Sequence, residues 1–144
     1  MADGPVPAGE AATASPRAAG AGARPRLGRL HPHSVVIDVA DHEVVVPFWE
    51  TALGWTSHPI NDQFVALRAP ADEAIGFDIL FQQVPEPKLA KNRAHIDFDA
   101  ADLEAEVERI VDLGGAKIAE HSLGAFRWAV VADPEGNEFC ITIR

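Results

Sequence analysis

The feature that most constrains the fold of this chain is an internal repeat. Residues 34–41 read SVVIDVAD and residues 95–102 read HIDFDAAD, which is an offset of 61 positions. A second pair, FVALRAP at 64–70 and WAVVADP at 128–134, repeats at an offset of 64. Because two separate segments recur in nearly the same register, the sequence predicts a duplicated structural unit whose two copies pack against each other.

The second copy has the pattern of a βαβββ module. Its opening stretch HIDFD alternates apolar and polar residues, as a half-buried strand does. Asp102 then stands where a helix N-cap is expected, and Gly114 stands where the helix should end. Three strand patterns follow, and the turn DPEGN joins the last two. The apolar stripe predicted for the helix consists of Leu103, Val107, Ile110 and Leu113.

The first copy follows the same plan, with a strand at 34–39, a helix from Asp41 to Leu53 and three further strands. Pro47 lies inside this predicted helix, and an interior proline costs about 3 kcal/mol. We therefore expect the helix to begin late or to kink near Pro47. The predicted α+β domain spans residues 31–144, with module one at 33–83, a linker at 84–93 and module two at 94–144.

Composition sets the remaining limits. Residues 1–30 are rich in Ala, Gly, Pro and Arg, which predicts a disordered tail, with a targeting peptide as the alternative. The single cysteine favours a cytoplasmic protein, and no apolar run is long enough for a membrane span. The formal charge of −10 argues against a nucleic-acid partner and suits a cationic or neutral small ligand. The alternative is that the acidic surface only keeps the protein soluble.

The alternation along the strands predicts which side chains share a face of each sheet. One face should pack beneath the helices. Its predicted members are Val35, Ile37, Val39, Ile96, Phe98, Phe139, Ile141 and Ile143. The opposite face is expected to line a cavity if the two duplicated sheets curve around each other. Its predicted members are Ser34, Val36, Asp38, Asp78, Leu80, Gln82, His95, Asp97, Asp99, Cys140 and Thr142.

From Ser34 to Arg144 the chain resembles the glyoxalase-like proteins of the vicinal oxygen chelate superfamily, which includes bleomycin resistance proteins and dioxygenases. The stretches that carry the resemblance are IDVADHEVVVPFWETALGW, NRAHIDFDAADLEAEVERIVDLGGA and WAVVADPEGNEFCI, and the most specific of them contains DPEGNEF. The resemblance implies two βαβββ modules forming a curved mixed sheet around a cavity, and a homodimer. It is weaker for the reaction, because this fold supports many chemistries.

The resemblance also implies where a metal would bind. Members with a metal place His, Gln or Glu on the first strand, Glu on the fourth, His at the start of the fifth and Glu on the last. In this chain His95 fills the fifth-strand position, whereas Ser34, Gln82 and Cys140 stand at the other three. These side chains are poor substitutes for carboxylates and imidazoles. We therefore favour no metal cofactor, with a divalent metal on His95, Gln82 and Cys140 as the alternative.

His95 is the candidate catalytic residue, since an imidazole facing a cavity can act as an acid, a base or a hydrogen-bond donor. The alternative is a hydrogen-bonded strand residue without a reactive role. Arg127 and Arg68 are predicted to face the cavity, Trp55 to border it, and Trp128 to face the helices. The full set of candidate ligand-binding residues is Asp38, Asp78, Gln82, Asp97, Asp99, Arg127, Cys140 and Trp55.

Two functions remain open at this stage. The first is a protein that binds a small cationic or aromatic molecule in an acidic cavity without a full metal site, similar to bleomycin resistance proteins. The second is an enzyme, namely a lyase, an isomerase or a ring-opening dioxygenase, that uses His95 with or without a divalent metal.

Overall fold

The computed structural model describes residues 30–143. The predicted tail therefore lies outside the described residues, apart from Leu30. Two helices and eight strands follow in the order βαβββ–βαβββ. They are β1 (Ser34–Val39), α1 (His42–Leu53), β2 (Thr56–Pro59), β3 (Phe64–Arg68), β4 (Asp78–Gln83), β5 (Asp97–Asp99), α2 (Leu103–Asp112), β6 (Ala116–Leu123), β7 (Phe126–Ala132) and β8 (Glu138–Ile143).

The strands form two four-stranded sheets with the same internal order. The first sheet runs β1-β4-β3-β2 and the second β5-β8-β7-β6. In each sheet the opening strand of the module pairs in parallel with its last strand, and the remaining pairs are antiparallel. The predicted duplication of a βαβββ unit is thereby confirmed. Strand β5 is shorter than predicted, because regular pairing with β8 begins at Asp97 rather than at His95.

Helix α1 begins at His42, so the predicted late start is wrong. Asp41 caps the helix, and its Oδ1 accepts a hydrogen bond of 2.8 Å from the backbone N–H of Glu43. Pro47 lies in the interior and lacks the N–H that would bond to the preceding turn. The helix tolerates this loss because side chains on both sides of Pro47 are buried, and burial of each such side chain contributes about 1.5–3 kcal/mol. These buried side chains are Val45, Val46, Phe48 and Trp49.

Helix α2 agrees with the prediction. The side chain of Asp102 accepts a hydrogen bond of 3.0 Å from the backbone N–H of Ala105, and the predicted stripe buries Leu103, Val107 and Ile110. Its opposite face is charged, as expected for a helix with one buried side. Within residues 30–143, neither helix is long and apolar enough to cross a membrane.

A single hydrophobic core joins the two modules. Its central member is Trp49 of α1, whose ring centroid lies 6.3 Å from that of Phe81 in the first sheet. The same ring lies 6.0 Å from Phe98 and 4.7 Å from Phe139, both in the second sheet. Trp49 Nε1 donates a buried hydrogen bond of 3.0 Å to Asp133 Oδ2, which satisfies the indole. Trp49 is therefore in contact with both sheets at once.

The turn between β7 and β8 makes a second connection between the modules. The two carboxylate oxygens of Glu135 accept hydrogen bonds from the backbone N–H groups of Ala40 (2.7 Å) and Asp41 (2.8 Å). Asn137 Nδ2 donates a longer bond of 3.4 Å to the Asp38 carbonyl oxygen. These contacts fix the end of β1 beside the start of β8.

Candidate functional site

A groove of about 440 Å³ lies between β1 and the segment 92–96, which leads into β5. Side chains from both faces of β1, from the segment before β5 and from β8 form its apolar part, together with Trp49 of α1. Pockets with an apolar floor and a few polar groups are the usual form of small-molecule sites. The apolar lining consists of Val35, Val36, Ile37, Trp49, Ile96 and Phe139.

The polar lining of the groove comes from both modules. Asp38 stands near the end of β1, and His95 stands opposite it, just before β5. Burial by itself raises the pKa of Glu138, but hydrogen bonds from the Asn92 N–H and from Lys88 outweigh burial, so the pKa of this carboxyl lies below its ordinary value. Glu138 is consequently ionised at neutral pH. The polar lining comprises Asp38, Asn92, Arg93, His95, Asn137 and Glu138.

Beside the groove, His95, Asp97 and Cys140 form a cluster whose ligand atoms all lie within 4.8 Å of one another. His95 Nε2 lies 3.2 Å from Asp97 Oδ1. Burial, the negative charge of Asp97 and a hydrogen bond to it raise the pKa of the Cys140 thiol to about 11. The thiol is therefore protonated at neutral pH, and both nucleophilic attack and metal ligation require the thiolate.

The fit of this cluster to a metal ion is incomplete. It supplies one imidazole, one carboxylate and one protonated thiol, whereas a hard divalent ion prefers several oxygen ligands and zinc usually takes three or four donors. Of the other positions that the resemblance implies, Gln82 lies on β4 of the first sheet, where it is paired with Asp38 rather than with His95. Ser34 lies at the far end of β1 from Asp38. Gln82 is not among the residues that line the groove with His95, and the side chain that joins His95 and Cys140 in the cluster is Asp97.

The predicted carboxylates do not gather at one point. Asp78 is buried in the first sheet, where its Oδ2 lies 3.2 Å from Arg68 Nε. Asp99 accepts a hydrogen bond of 2.8 Å from Thr142 Oγ1 in the second sheet. Among the predicted aspartates, only Asp38 lines the groove. Asp97 is not part of the lining, but its carboxylate contacts the side chain of His95, which is.

The predicted faces of β7 are wrong. Arg127 pairs with Ile143 of β8 and reaches towards helix α2, where its guanidinium binds Glu104 and, at 2.7 Å, Glu120. Trp128 pairs with Thr142, so it lies on the polar face of the sheet. The strand sequence FRWAVVA carries apolar residues on both faces, and its alternation therefore does not fix its orientation. Arg127 therefore does not line the groove and is not expected to contact a ligand bound there.

Trp55 also lies away from the groove that it was predicted to border. Its side chain is buried, with the ring centroid 6.4 Å from that of Phe77. It lines a separate cavity of about 250 Å³, together with Phe98 and Ile110, near the end of α1. Trp55 is thus part of the core. The tryptophan that lines the groove is Trp49.

Several groove residues were missed by the sequence reasoning. Asn92 and Arg93 lie in what was interpreted as a polar linker, and Asn137 and Glu138 close the DPEGNEF motif, which was read as a turn. The motif was a usable signal, because polar residues that directly precede the last strand stand at the edge of the second sheet.

Comparison with known proteins agrees with this architecture. A family model for the glyoxalase-like domain matches residues 34–142. A glyoxalase/bleomycin resistance protein from Albidiferax ferrireducens is 21% identical, with a TM-score of 0.58, over 77% of this chain and 96% of that chain. A glyoxalase-related enzyme from Fulvimarina pelagi is 16% identical, with a TM-score of 0.61, over 82% of this chain and 89% of that one.

The fosfomycin resistance protein FosX from Mesorhizobium loti is 16% identical, with a TM-score of 0.61, over 83% of this chain and 94% of that chain. At these identities the likeness establishes a common fold. No curated protein sequence matches the chain. The family model covers most of the chain and the module order agrees with it, and so the chain belongs to the glyoxalase-like domain family.

Proposed function

We propose that this protein binds a small ligand with a cationic group and an apolar or aromatic part in the groove between β1 and residues 92–96, without a full metal site. The observation that carries the proposal is the composition of the groove, in which the exposed carboxylate of Asp38 shares the lining with the apolar side chains of β1 and Ile96.

The charge of Asp38 supports a cationic ligand. Asp38 is exposed at the groove, whereas the carboxylate of Glu138 already binds Lys88 Nζ at 3.1 Å and the Asn92 N–H at 3.0 Å. Trp49 and Phe139 are only 1% and 4% exposed, so the apolar surface that a ligand can reach in the groove comes mainly from Val35, Val36, Ile37 and Ile96. The resistance proteins among the structural neighbours support small-molecule binding as a use of this fold.

A thermal-shift panel tests this function. Aromatic amines and guanidines should raise the melting temperature of the protein, and neutral compounds of the same shape should raise it less. Asp38→Asn should weaken binding of the cations about tenfold, since it removes a charge that faces the ligand. Glu108→Gln, which removes a carboxylate from the exposed face of α2, is the matched control and should leave binding unchanged. Equal binding of charged and neutral compounds would refute the cationic preference.

The second candidate function is a lyase, isomerase or dioxygenase that uses His95 with a divalent metal. The observation that favours it is the cluster of His95, Asp97 and Cys140. Elemental analysis of the purified protein distinguishes the two functions. A stoichiometric metal that His95→Ala removes supports this candidate, whereas a protein that contains no metal and whose melting temperature ignores Zn²⁺, Mn²⁺ and Fe²⁺ excludes it.

We also propose that the protein is a cytoplasmic homodimer. Leu123 and Phe126, at the tip of the β6–β7 hairpin, are 76% and 40% exposed, and exposed apolar side chains that lie together often mark an interface. The buried free thiol of Cys140 suits a reducing compartment. Sedimentation equilibrium tests the dimer, and Leu123→Ser should shift the protein towards the monomer if this hairpin forms the interface.

A further inference from the structure

The groove is bordered by β1 and by the segment 92–96 that leads into β5, and both β1 and β5 are edge strands. Strand β1 ends the first sheet and pairs only with β4, while β5 ends the second sheet and pairs only with β8. An edge strand presents backbone N–H and C=O groups that its own sheet does not use. The direction of these groups in β1 and β5 follows from the hydrogen bonds at the ends of each strand.

In β1 the odd-numbered residues point towards β4. The His33 carbonyl accepts a bond of 3.1 Å from the Asp78 N–H, and the Val39 carbonyl accepts one of 2.9 Å from the Val84 N–H. Successive residues of a strand direct their backbone groups to opposite sides, so Val36 and Asp38 point away from β4. The bond from Asn137 Nδ2 to the Asp38 carbonyl, which reaches β1 from the second module, agrees with this direction.

In the second sheet the even-numbered residues point towards β8. The Ile96 carbonyl accepts a bond of 3.0 Å from the Cys140 N–H, and the Ala100 N–H donates one of 2.8 Å to the Thr142 carbonyl. The backbone groups of His95 and Asp97 therefore point outwards, and His95 lines the groove. Outward-facing backbone thus belongs to residues that line the groove on both sides, namely Val36 and Asp38 in β1 and His95 just before β5.

We propose that the groove takes its ligand as an added strand, and that the ligand is an extended peptide or a compound with peptide-like amides. This inference rests on the proposed function, because it uses the same groove and specifies the chemical class of the ligand. In β-strand addition, main-chain hydrogen bonds provide affinity, and pockets for alternate side chains provide specificity. Val36 and the Asp38 N–H on one side and His95 on the other supply the main-chain partners, because the Asp38 carbonyl oxygen already accepts a bond from Asn137 Nδ2.

The side-chain lining predicts which peptides fit. Residues 35–38 of β1 line the groove, which corresponds to about four ligand residues, or about 13 Å at 3.3 Å per residue. Alternate side chains of an extended ligand point to opposite faces. One set would contact the half-buried Val35 and Ile37 and should be apolar, whereas the other would lie beside Asp38 and should include Lys or Arg. The alternating pattern apolar–basic is the expected recognition sequence.

Capped hexapeptides that alternate leucine and lysine are the probe, and their binding to the full chain is measured by NMR and calorimetry. We expect the amide resonances of Val36, Asp38 and His95 to shift, with those of the β6–β7 hairpin unchanged. The matched control peptides carry N-methyl groups on alternate amides, in each of the two registers. N-methylation keeps the side chains and the charge but removes the donors, and it should weaken binding at least tenfold.

A protein variant gives a second test. Val36→Pro removes a backbone N–H that faces the groove, and proline is tolerated on an edge strand where the N–H points away from the ladder. It should weaken peptide binding about tenfold, whereas Val36→Thr, which keeps the N–H, should not. If Val36→Pro fails to fold, as checked by circular dichroism, the N-methylated peptides on the unaltered chain decide the question.

The outcomes separate this inference from the proposed function. If N-methylated and parent peptides bind equally, or if only small amines bind, the strand-addition inference is overturned while the small-ligand function stands. If neither peptides nor amines bind, both proposals fail. If the Val36, Asp38 and His95 amides gain protection from hydrogen exchange as the protein is concentrated without peptide, a second copy fills the groove and the inference is overturned.

Discussion

The two modules share one strand order but differ in what their helices do. Helix α1 of module one buries a tryptophan, Trp49, that packs on both sheets. Helix α2 has Ile110 at the corresponding position, 61 residues later, and packs on strands of its own sheet. The two helices therefore join the modules by different means: Trp49 of α1 packs on both sheets, whereas α2 reaches module one through Arg109, which donates a hydrogen bond of 2.9 Å to the Ala52 carbonyl oxygen.

The turns that precede the last strands differ in the same way. In the register of the second repeat, Asp133 and Glu135 of module two correspond to Ala69 and Ala71 of module one. The two acids bind Trp49 and the start of α1, whereas two alanines have no side chain that could do so. The comparison teaches that the duplication provides the two sheets. The contacts that connect the two sheets come from positions at which the copies differ, such as Asp133 and Glu135.

The largest expected effect comes from the tryptophan. Trp49→Ala should lower the free energy of unfolding by about 4 kcal/mol, while Ile110→Ala at the corresponding position should lower it by about 3 kcal/mol, in the usual range for large-to-small core substitutions. Trp49 should cost more because its loss affects both sheets and leaves Asp133 Oδ2 without the indole donor. Urea denaturation followed by circular dichroism measures both values, and an equal or greater cost for Ile110→Ala would contradict the asymmetry.

A smaller effect is expected at the turn. Glu135→Ala removes a carboxylate that accepts two backbone N–H groups from module one, and hydrogen bonds to charged groups contribute about 1.5–3 kcal/mol each in protected positions. Since Glu135 is partly exposed, we expect a loss of about 1–2 kcal/mol in thermal or urea unfolding. Glu86→Ala, which removes a charge from the exposed linker, is the control. If both variants have the same stability, the turn does not hold the modules together.

The smallest effect is expected at the surface ion pairs of module two. Hydrogen bonds from Lys117 and then Arg127 lower the pKa of Glu120 to about 2. Because the pKa of Glu120 is lower in the folded protein than in the unfolded chain, its ionised carboxylate stabilises the fold at pH values above the ordinary carboxyl pKa. This contribution is lost as the pH falls through the folded-state pKa of about 2. Arg127→Gln should raise the Glu120 pKa only partly, because Lys117 remains.

NMR titration of the Glu120 side chain measures the pKa change that follows Arg127→Gln. The accompanying change in melting temperature at pH 7 should be small and should disappear in 1 M salt, because both side chains are exposed. Ligand binding should be unchanged, in contrast to Asp38→Asn. A loss of ligand affinity in Arg127→Gln would mean that the arginine contributes to the site after all.

Sequence patterns predicted the structure correctly where the spacing of apolar residues allowed only one interpretation. The stripe of α2, the cap at Asp102, and the helix-facing side of β1, β5 and β8 were all predicted in this way. They failed at β7, because FRWAVVA is apolar on both faces and only pairing with β8 decides that Arg127 turns to the helix. They also failed at α1, where tertiary burial offsets the cost that Pro47 imposes locally.

The sequence by itself determined the duplicated plan, the sides of most strands and the position of His95 at a polar face, because these depend on periods of two and 3.6 residues that are written locally. The tertiary structure decided that β1 and the segment before β5 face each other across a groove, that Asp97 joins His95 and Cys140, and that Trp55 is core. Such features depend on contacts between residues of different modules, and no local period encodes the distance between two sheet edges.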